Sequence, residues 1–247
     1  MKRFGSRGHI IAKSFLPIIK GVFGFVLRTG FDFRVEGGKN IPAEGAAILA
    51  SNHPTYLDPP FVYAASWIAR KRPVYFMAAA YLFDLPILGP WLSEFGAYPV
   101  EEKTFTRTPY KQTLELLELG ELVGLFLEGG RSKFSPLMNG KLKTGAVRAS
   151  LTLDVPIIPM TILGGWRIWP AFLPWKLPRF KPARVIVHPP YKPPPQFPGE
   201  SEKQHWHRCL EQLRIIIEQP IKDYFRIRAP VGAFACHPLR TLGRRRF

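Results

Sequence analysis

The sequence predicts an α/β fold: a mixed central sheet flanked by helices, preceded by an N-terminal interfacial amphipathic helix. Three observations carry that expectation. Short apolar runs alternate with longer helical patterns through most of the chain, the signature of buried strands joined by helices. Two of those runs lead straight into polar, chemistry-bearing segments, and open α/β sheets bind ligands beyond their strand ends. The first 31 residues differ from everything after them, with six basic residues, no acid and many large apolar side chains.

The elements follow in chain order. In residues 1–31, Lys2, Arg3, Arg7, Lys13, Lys20 and Arg28 stand among Ile10, Phe15, Ile18, Val22, Phe25 and similar residues. At helical pitch Lys13, Lys20 and Arg28 fall within about 80° of one another. The apolar stretches between them are far short of the roughly 20 residues that span a bilayer. A helix of this kind lies in the membrane interface, basic residues toward the headgroups. Strands are expected at 33–36, 46–51, 74–78, 96–100, 122–127, 157–162 and 184–188. Helices are expected at 61–70, 86–94, 108–119, 144–153 and 203–225. Asp154 with Val155-Pro156 marks a helix stop and a strand start. The chain is expected to divide into the membrane-associating helix (1–31), an α/β domain (32–226) and a basic tail (227–247) ending Arg244-Arg245-Arg246-Phe247.

Chemistry concentrates after the second and fifth strands. Ser51-Asn52-His53-Pro54-Thr55-Tyr56-Leu57-Asp58 places an imidazole and a carboxylate five positions apart. On one continuous helix they would stand about 140° apart. Pro54 pushes His53 out of the helical region, so a turn between strand and helix can return Asp58 to the ring. A carboxylate on one imidazole nitrogen fixes the tautomer, supports the imidazolium and leaves the other nitrogen as a general base. A structural reading stands beside this one. Asp58 precedes Pro59 and Pro60 and can cap a helix, and Thr55 with Asp58 has capping-box spacing.

The fifth apolar run, 122–127, leads into Glu128-Gly129-Gly130-Arg131-Ser132-Lys133. Glycines let a backbone approach a ligand or take positive φ. An adjacent arginine supplies charge-assisted hydrogen bonds to a phosphate or carboxylate. Glu128 either orients Arg131 or meets a hydroxyl.

The order Asn-His-x4-Asp, then Phe-Leu-Glu-Gly-Gly-Arg-Ser, then Val155-Pro156-Ile157-Ile158-Pro159 resembles the glycerolipid acyltransferases of the lysophosphatidic acid acyltransferase type, over roughly residues 30–195. The resemblance assigns the family's catalytic histidine and aspartate to His53 and Asp58. It assigns the substrate-binding block to Glu128, Gly129, Gly130 and Arg131, and a further basic residue to Lys143. It implies transfer of an acyl group from a thioester, acyl-CoA or acyl-carrier protein, to a lysolipid hydroxyl, without a covalent acyl-enzyme. Two departures bear on the acceptor. Many members have a lysine before a Glu-Leu pair between these motifs, where this chain has Ala78-Ala79-Ala80-Tyr81-Leu82. Many also end a Gly-x-x-x-Val segment with arginine, where this chain has Glu101 after Gly96–Val100. With those phosphate-holding cations missing or displaced, the acyl chemistry is retained and the acceptor's identity is left open.

Composition and charge bound the partners. Apolar residues make up 46% of the 247 residues, which excludes a disordered chain. Lys and Arg number 35 against 18 Asp and Glu, a net charge of +17 that favours a polyanion, either nucleic acid or an anionic membrane surface. Residues 155–198 also lack acids and carry Trp166, Trp169 and Trp175 beside Arg167, Lys176, Arg179 and Lys181. Tryptophan among basic residues suits a bilayer interface and also suits stacking on single-stranded nucleic acid. The placing of charge in the basic, apolar segment 1–31 favours the membrane, expected at its cytoplasmic face, with nucleic acid not expected. The competing class is a non-enzymatic basic binder that keeps the fold. No cofactor and no metal are expected: Cys209 and Cys236 lack ligand or disulfide spacing, and His188, His205 and His207 are read as structural or solvated. No hydrolase Gly-x-Ser-x-Gly elbow, phosphate-binding P-loop or dinucleotide fingerprint occurs.

Overall fold

The computed structural model describes residues 29–86, 88–100, 108–132, 137–138, 141–169 and 179–228. The amphipathic helix and basic tail expected at the two ends thus lie almost wholly outside the described residues.

Seven strands form one sheet: β1 (Arg34–Glu36), β2 (Ala47–Ser51), β3 (Val74–Ala79), β4 (Ala97–Val100), β5 (Leu122–Phe126), β6 (Ile157–Leu163) and β7 (Arg184–Val187). Their order across the sheet is β1-β7-β6-β2-β5-β3-β4. All pairings are parallel except β6 with β7, which makes the sheet mixed, as expected. The helices are α1 (Asp58–Arg70), α2 (Leu88–Glu94), α3 (Thr108–Glu118), α4 (Gly145–Leu153), the single turn α5 (Gly165–Ile168) and α6 (Glu202–Arg228). Every residue of β2 and β6 is buried, which explains why these strands read as continuous apolar runs: helices cover both faces of a parallel sheet.

Alternate residues of each central strand feed two separate cores. Ala47 and Leu49 of β2 join Phe76, Leu122, Ile158, Met160 and Val185 under α1, whose Phe61, Val62 and Ala65 are fully buried. Burying a side chain such as Phe61 contributes about 1.5–3 kcal/mol. Ile48 and Ala50 face the other way, with Val123, Leu125 and Ile157, against Ala146, Val147 and Ala149 of α4 and Leu210, Leu213 and Ile217 of α6. Helix α1 stops where Lys71 turns left-handed at φ 57, and α4 stops at Asp154 (φ 49), the position read from the sequence. The expected start of α1 shifts from residue 61 to Asp58, because prolines are well tolerated in a helix's first turn, where backbone N–H groups have no intrahelical partner.

Two arginines close the edge of the sheet where strands begin. The Arg72 guanidinium donates to the carbonyls of Pro42, Gly45 and Gly120, and Arg70 to those of Ile41 and Lys39. The opposite edge, where β2 and β5 end side by side with Ser51 opposite Phe126, carries the polar motifs.

Candidate active site

After β2 the chain leaves the sheet at Ser51, and Asn52 fixes its path. The Asn52 side chain donates to the carbonyl of Ile162 (3.1 Å) and accepts from the Ile162 N–H (2.8 Å), pinning this loop to β6. His53 follows, and α1 begins five residues later with Asp58 in its first turn. The turn brings Asp58 Oδ2 to 2.7 Å from His53 Nδ1. The same oxygen accepts the Thr55 N–H at 2.7 Å. One oxygen thus holds both the ring and the Thr55 N–H. Asp58 does not cap the helix as the structural reading expected: Leu57 is the N-cap and makes no side-chain cap bond, and Asp58 is already the first helical residue. Asp58 is fully buried, and its Oδ1 has no hydrogen-bond partner among the described residues.

Burial pushes both members of this pair toward their neutral forms. It lowers the basicity of His53, and the positive charge of Arg131 acts in the same direction. It raises the Asp58 carboxyl, an effect that the Thr55 N–H and Arg131 oppose. The ring is therefore neutral at physiological pH, with Nδ1 held on the Asp58 carboxyl group. Nε2 is the nitrogen left to take a proton, and about a tenth of the His53 side chain remains accessible.

The second motif meets the first through Glu128. Its carboxylate accepts the backbone N–H of His53 (2.8 Å) and the hydroxyl of Ser132, while the Ser132 N–H donates back to the His53 carbonyl (2.9 Å). Glu128 thus meets a hydroxyl, one of its two expected roles, and additionally clamps the histidine backbone. Burial raises its carboxyl, with these two donors opposing the shift. Phe126 lies flat on the imidazole, ring centroids 3.9 Å apart and planes at 15°, and Phe76 stacks behind it at 6.0 Å. Gly124 makes that stack possible, since a Cβ there would sit 2.0 Å from the Phe76 ring.

The two motif glycines differ. Gly129 has φ 64, and a Cβ on it would come within 2.7 Å of the Lys143 side chain, which lies across it. Gly130 has no such requirement: a Cβ there would meet nothing within 4 Å. Lys143 is exposed, and its N–H is bonded to the Leu127 carbonyl, so the structure brings this distant residue to the glycine loop. Arg131 is exposed, with its guanidinium over the Tyr56 ring. All seven residues singled out from the sequence come together at one end of β2 and β5. Asn52, Tyr56, Phe126 and Ser132 complete the arrangement. They lie inside the two motifs, but their partners are remote in sequence, and only the motif membership itself could have drawn attention to them.

The remaining polar candidates are structural. His188 Nε2 pairs with Thr161 Oγ1 (2.8 Å) and His205 Nε2 with the Pro194 carbonyl (2.7 Å), and His207 is exposed. Among the described residues no three His, Cys, Asp or Glu side chains cluster as metal ligands.

A buried imidazole held by a carboxyl group stands beside an arginine and a glycine loop at the strand ends of a mixed α/β sheet, where open α/β sheets bind ligands. Comparison with known proteins specifies the class. The family model described as Acyltransferase matches residues 32–163, which contain both motifs, and the chain belongs to this family. It is 29% identical over 185 residues to a chloroplast 1-acyl-sn-glycerol-3-phosphate acyltransferase of Arabidopsis thaliana, covering 74% of this chain and 48% of that protein. It is 27% identical over 131 residues to a 1-acyl-sn-glycerol-3-phosphate acyltransferase of Bacillus subtilis, covering 53% of this chain and 62% of that one. The chain therefore spans about half the length of the plant relative. The crystal structure of the 1-acyl-sn-glycerophosphate acyltransferase of Thermotoga maritima superposes with a TM-score of 0.63 at 19% identity, covering 89% of this chain and 81% of that one. It shares the fold.

Proposed function

We propose that this protein transfers a fatty acyl group from an acyl thioester, acyl-CoA or acyl-carrier protein, to the hydroxyl of a lysophospholipid at the cytoplasmic face of a membrane. The observation that carries the reading is the 2.7 Å contact between His53 Nδ1 and a fully buried Asp58. His53 Nε2 takes the proton of the acceptor hydroxyl as that oxygen attacks the thioester carbonyl. The C–O ester bond forms, the C–S bond breaks, and the imidazolium returns the proton to the leaving thiolate. Asp58 holds the ring and supports its transient charge. Arg131, the Gly129-Gly130 backbone and Lys143 hold a phosphate of the acceptor or the donor.

Lysophosphatidate is the acceptor favoured by the relatives, which are named as 1-acyl-sn-glycerol-3-phosphate acyltransferases. The membrane setting is supported by the acid-free, basic and apolar segment 1–31 and the net charge of +17. No helix among the described residues is long and apolar enough to cross a membrane.

The test is thiol release and product mass from purified protein given oleoyl-CoA or oleoyl-acyl-carrier protein with a panel of lysolipids differing only in headgroup. His53→Ala is expected to lower turnover by about 10²–10⁴-fold, the usual loss on removing a general base, with the fold intact. A parent protein that binds lysolipid vesicles yet turns over none of these pairs would leave the non-enzymatic binder as the correct reading.

A further inference from the structure

Arg131 follows a flexible glycine pair and is exposed, yet its position is defined. Its guanidinium carbon lies 4.2 Å from the centroid of the Tyr56 ring, within the range of a cation–π contact. Among the described residues its side chain makes no hydrogen bond and no ion pair. The nearby carboxylate that could have claimed it, Glu128, is occupied by the His53 N–H and the Ser132 hydroxyl. A guanidinium stacked by its face keeps its in-plane N–H donors for a ligand, which an ion pair would consume.

Tyr56 is itself held. It sits inside the turn that closes the His53–Asp58 pair, with the Thr55 N–H bonded to Asp58 and the Leu57 N–H to Thr55 Oγ1 (3.3 Å). Its ring packs on Trp169, centroids 5.1 Å apart, and the Trp169 backbone N–H is bonded to the Gly165 carbonyl. Tyr56 thus lies in the same Ser51–Asp58 segment as the base, so the reach of Arg131 is referenced directly to His53. The electrostatics agree, since Arg131 is close enough to act on both His53 and Asp58.

We infer that Tyr56 is a positioning residue for Arg131: its ring holds the guanidinium beside the His53–Asp58 pair and so sets the affinity for a substrate phosphate group. The inference rests on the assignment of Arg131 as an anion holder, and the experiment separates the two. Tyr56→Leu, Tyr56→Phe, Arg131→Ala and the double variant Tyr56→Leu/Arg131→Ala are compared with the parent. KM is measured for 1-oleoyl lysophosphatidate at saturating oleoyl-CoA, then with the roles reversed, which distinguishes an acceptor phosphate from a donor one. Binding of 1-oleoyl lysophosphatidate and of free CoA by equilibrium dialysis provides the same comparison without turnover.

Tyr56→Leu is expected to raise one of these constants about 3- to 10-fold, as loss of a cation–π contact allows, with kcat at saturation nearly unchanged. Tyr56→Phe, which keeps the ring, should stay within about twofold of the parent. In the Arg131→Ala background Tyr56→Leu should add nothing, because it acts through the arginine. A purely structural Tyr56 would instead give additive losses in the double variant, and that result overturns the inference. So does a Tyr56→Leu variant with unchanged constants beside a weakened Arg131→Ala, which leaves the anion-holder assignment standing. If Arg131→Ala itself changes no constant, both fail together.

Discussion

Asp58→Asn separates the catalytic role proposed for Asp58 from its structural one. The substitution keeps the shape, and its amide oxygen can take the place of Oδ2, accepting from both His53 Nδ1 and the Thr55 N–H. What it removes is the negative charge. When His53 takes a proton, the imidazolium and carboxylate stand with charges about 4 Å apart, an attraction of about 4 kcal/mol at an effective dielectric constant near 20. Loss of that support raises the barrier enough for roughly a 10³-fold fall in kcat. KM should change little, because the charge exists only as the proton moves.

Stability moves differently. Burial raises the Asp58 carboxyl above its ordinary value, so the native state binds its proton more readily than the unfolded chain does. By linkage, stability from this group falls as pH rises from the unfolded value through the raised one, and at neutral pH the ionised form is a cost. A neutral amide removes that cost. It also forfeits the helix-dipole benefit of an acid in the first turn of α1, about 0.3–1 kcal/mol. The net change should lie within about 1 kcal/mol, or about 4 °C in melting temperature for a chain of this size. Thiol release from oleoyl-CoA gives kcat, and circular dichroism gives the melt. A kcat within about tenfold of the parent, or a melt lowered by more than about 8 °C, would make Asp58 a helix-terminal structural residue and refute the reasoning.

Three further outcomes follow from the same geometry. Because burial and Arg131 hold His53 below its ordinary 6.5, the ring stays in its basic form on mild acidification, so the acid limb of kcat/KM should fall below pH 6.5; an inflection at or above that value in a pH–rate profile would contradict the burial argument. Glu128→Ala leaves the His53 N–H and Ser132 hydroxyl, both buried, without their acceptor, at about 1–3 kcal/mol each, so denaturant melts should show a loss of about 2–6 kcal/mol that Glu128→Gln largely restores. Deleting residues 1–31 should release the protein from anionic vesicles in a flotation assay and lower activity on bilayer lysolipid more than on a soluble short-chain acceptor; a truncated protein that floats like the parent would place the anchor in another basic segment.

Local physical chemistry is what the sequence carries most directly, and here it determined the strands, most of the helices and the dyad. The fully buried strands β2 and β6 appear as unbroken apolar runs because both faces of the sheet are covered. The stop of α4 at Asp154 and the turn after His53 are encoded by neighbouring residues, a proline in each case. His53 and Asp58 could be paired on paper because only five positions separate them, within one turn. Pairings across the fold were a different matter. Asn52 finds Ile162 across 110 residues, and Glu128 finds the His53 N–H across 75. Phe126 covers His53 only because β5 is the neighbour of β2 in this register, and Arg131 reaches Tyr56 for the same reason. Strand order and register follow from burying both faces of seven strands at once, a sum over the whole sheet that no local window contains. The sequence alone therefore determined that His53 and Asp58 could pair and which polar motifs follow β2 and β5. Tertiary packing decided that Glu128 would clamp the histidine backbone rather than pair with Arg131, and so left the arginine's donors for a ligand.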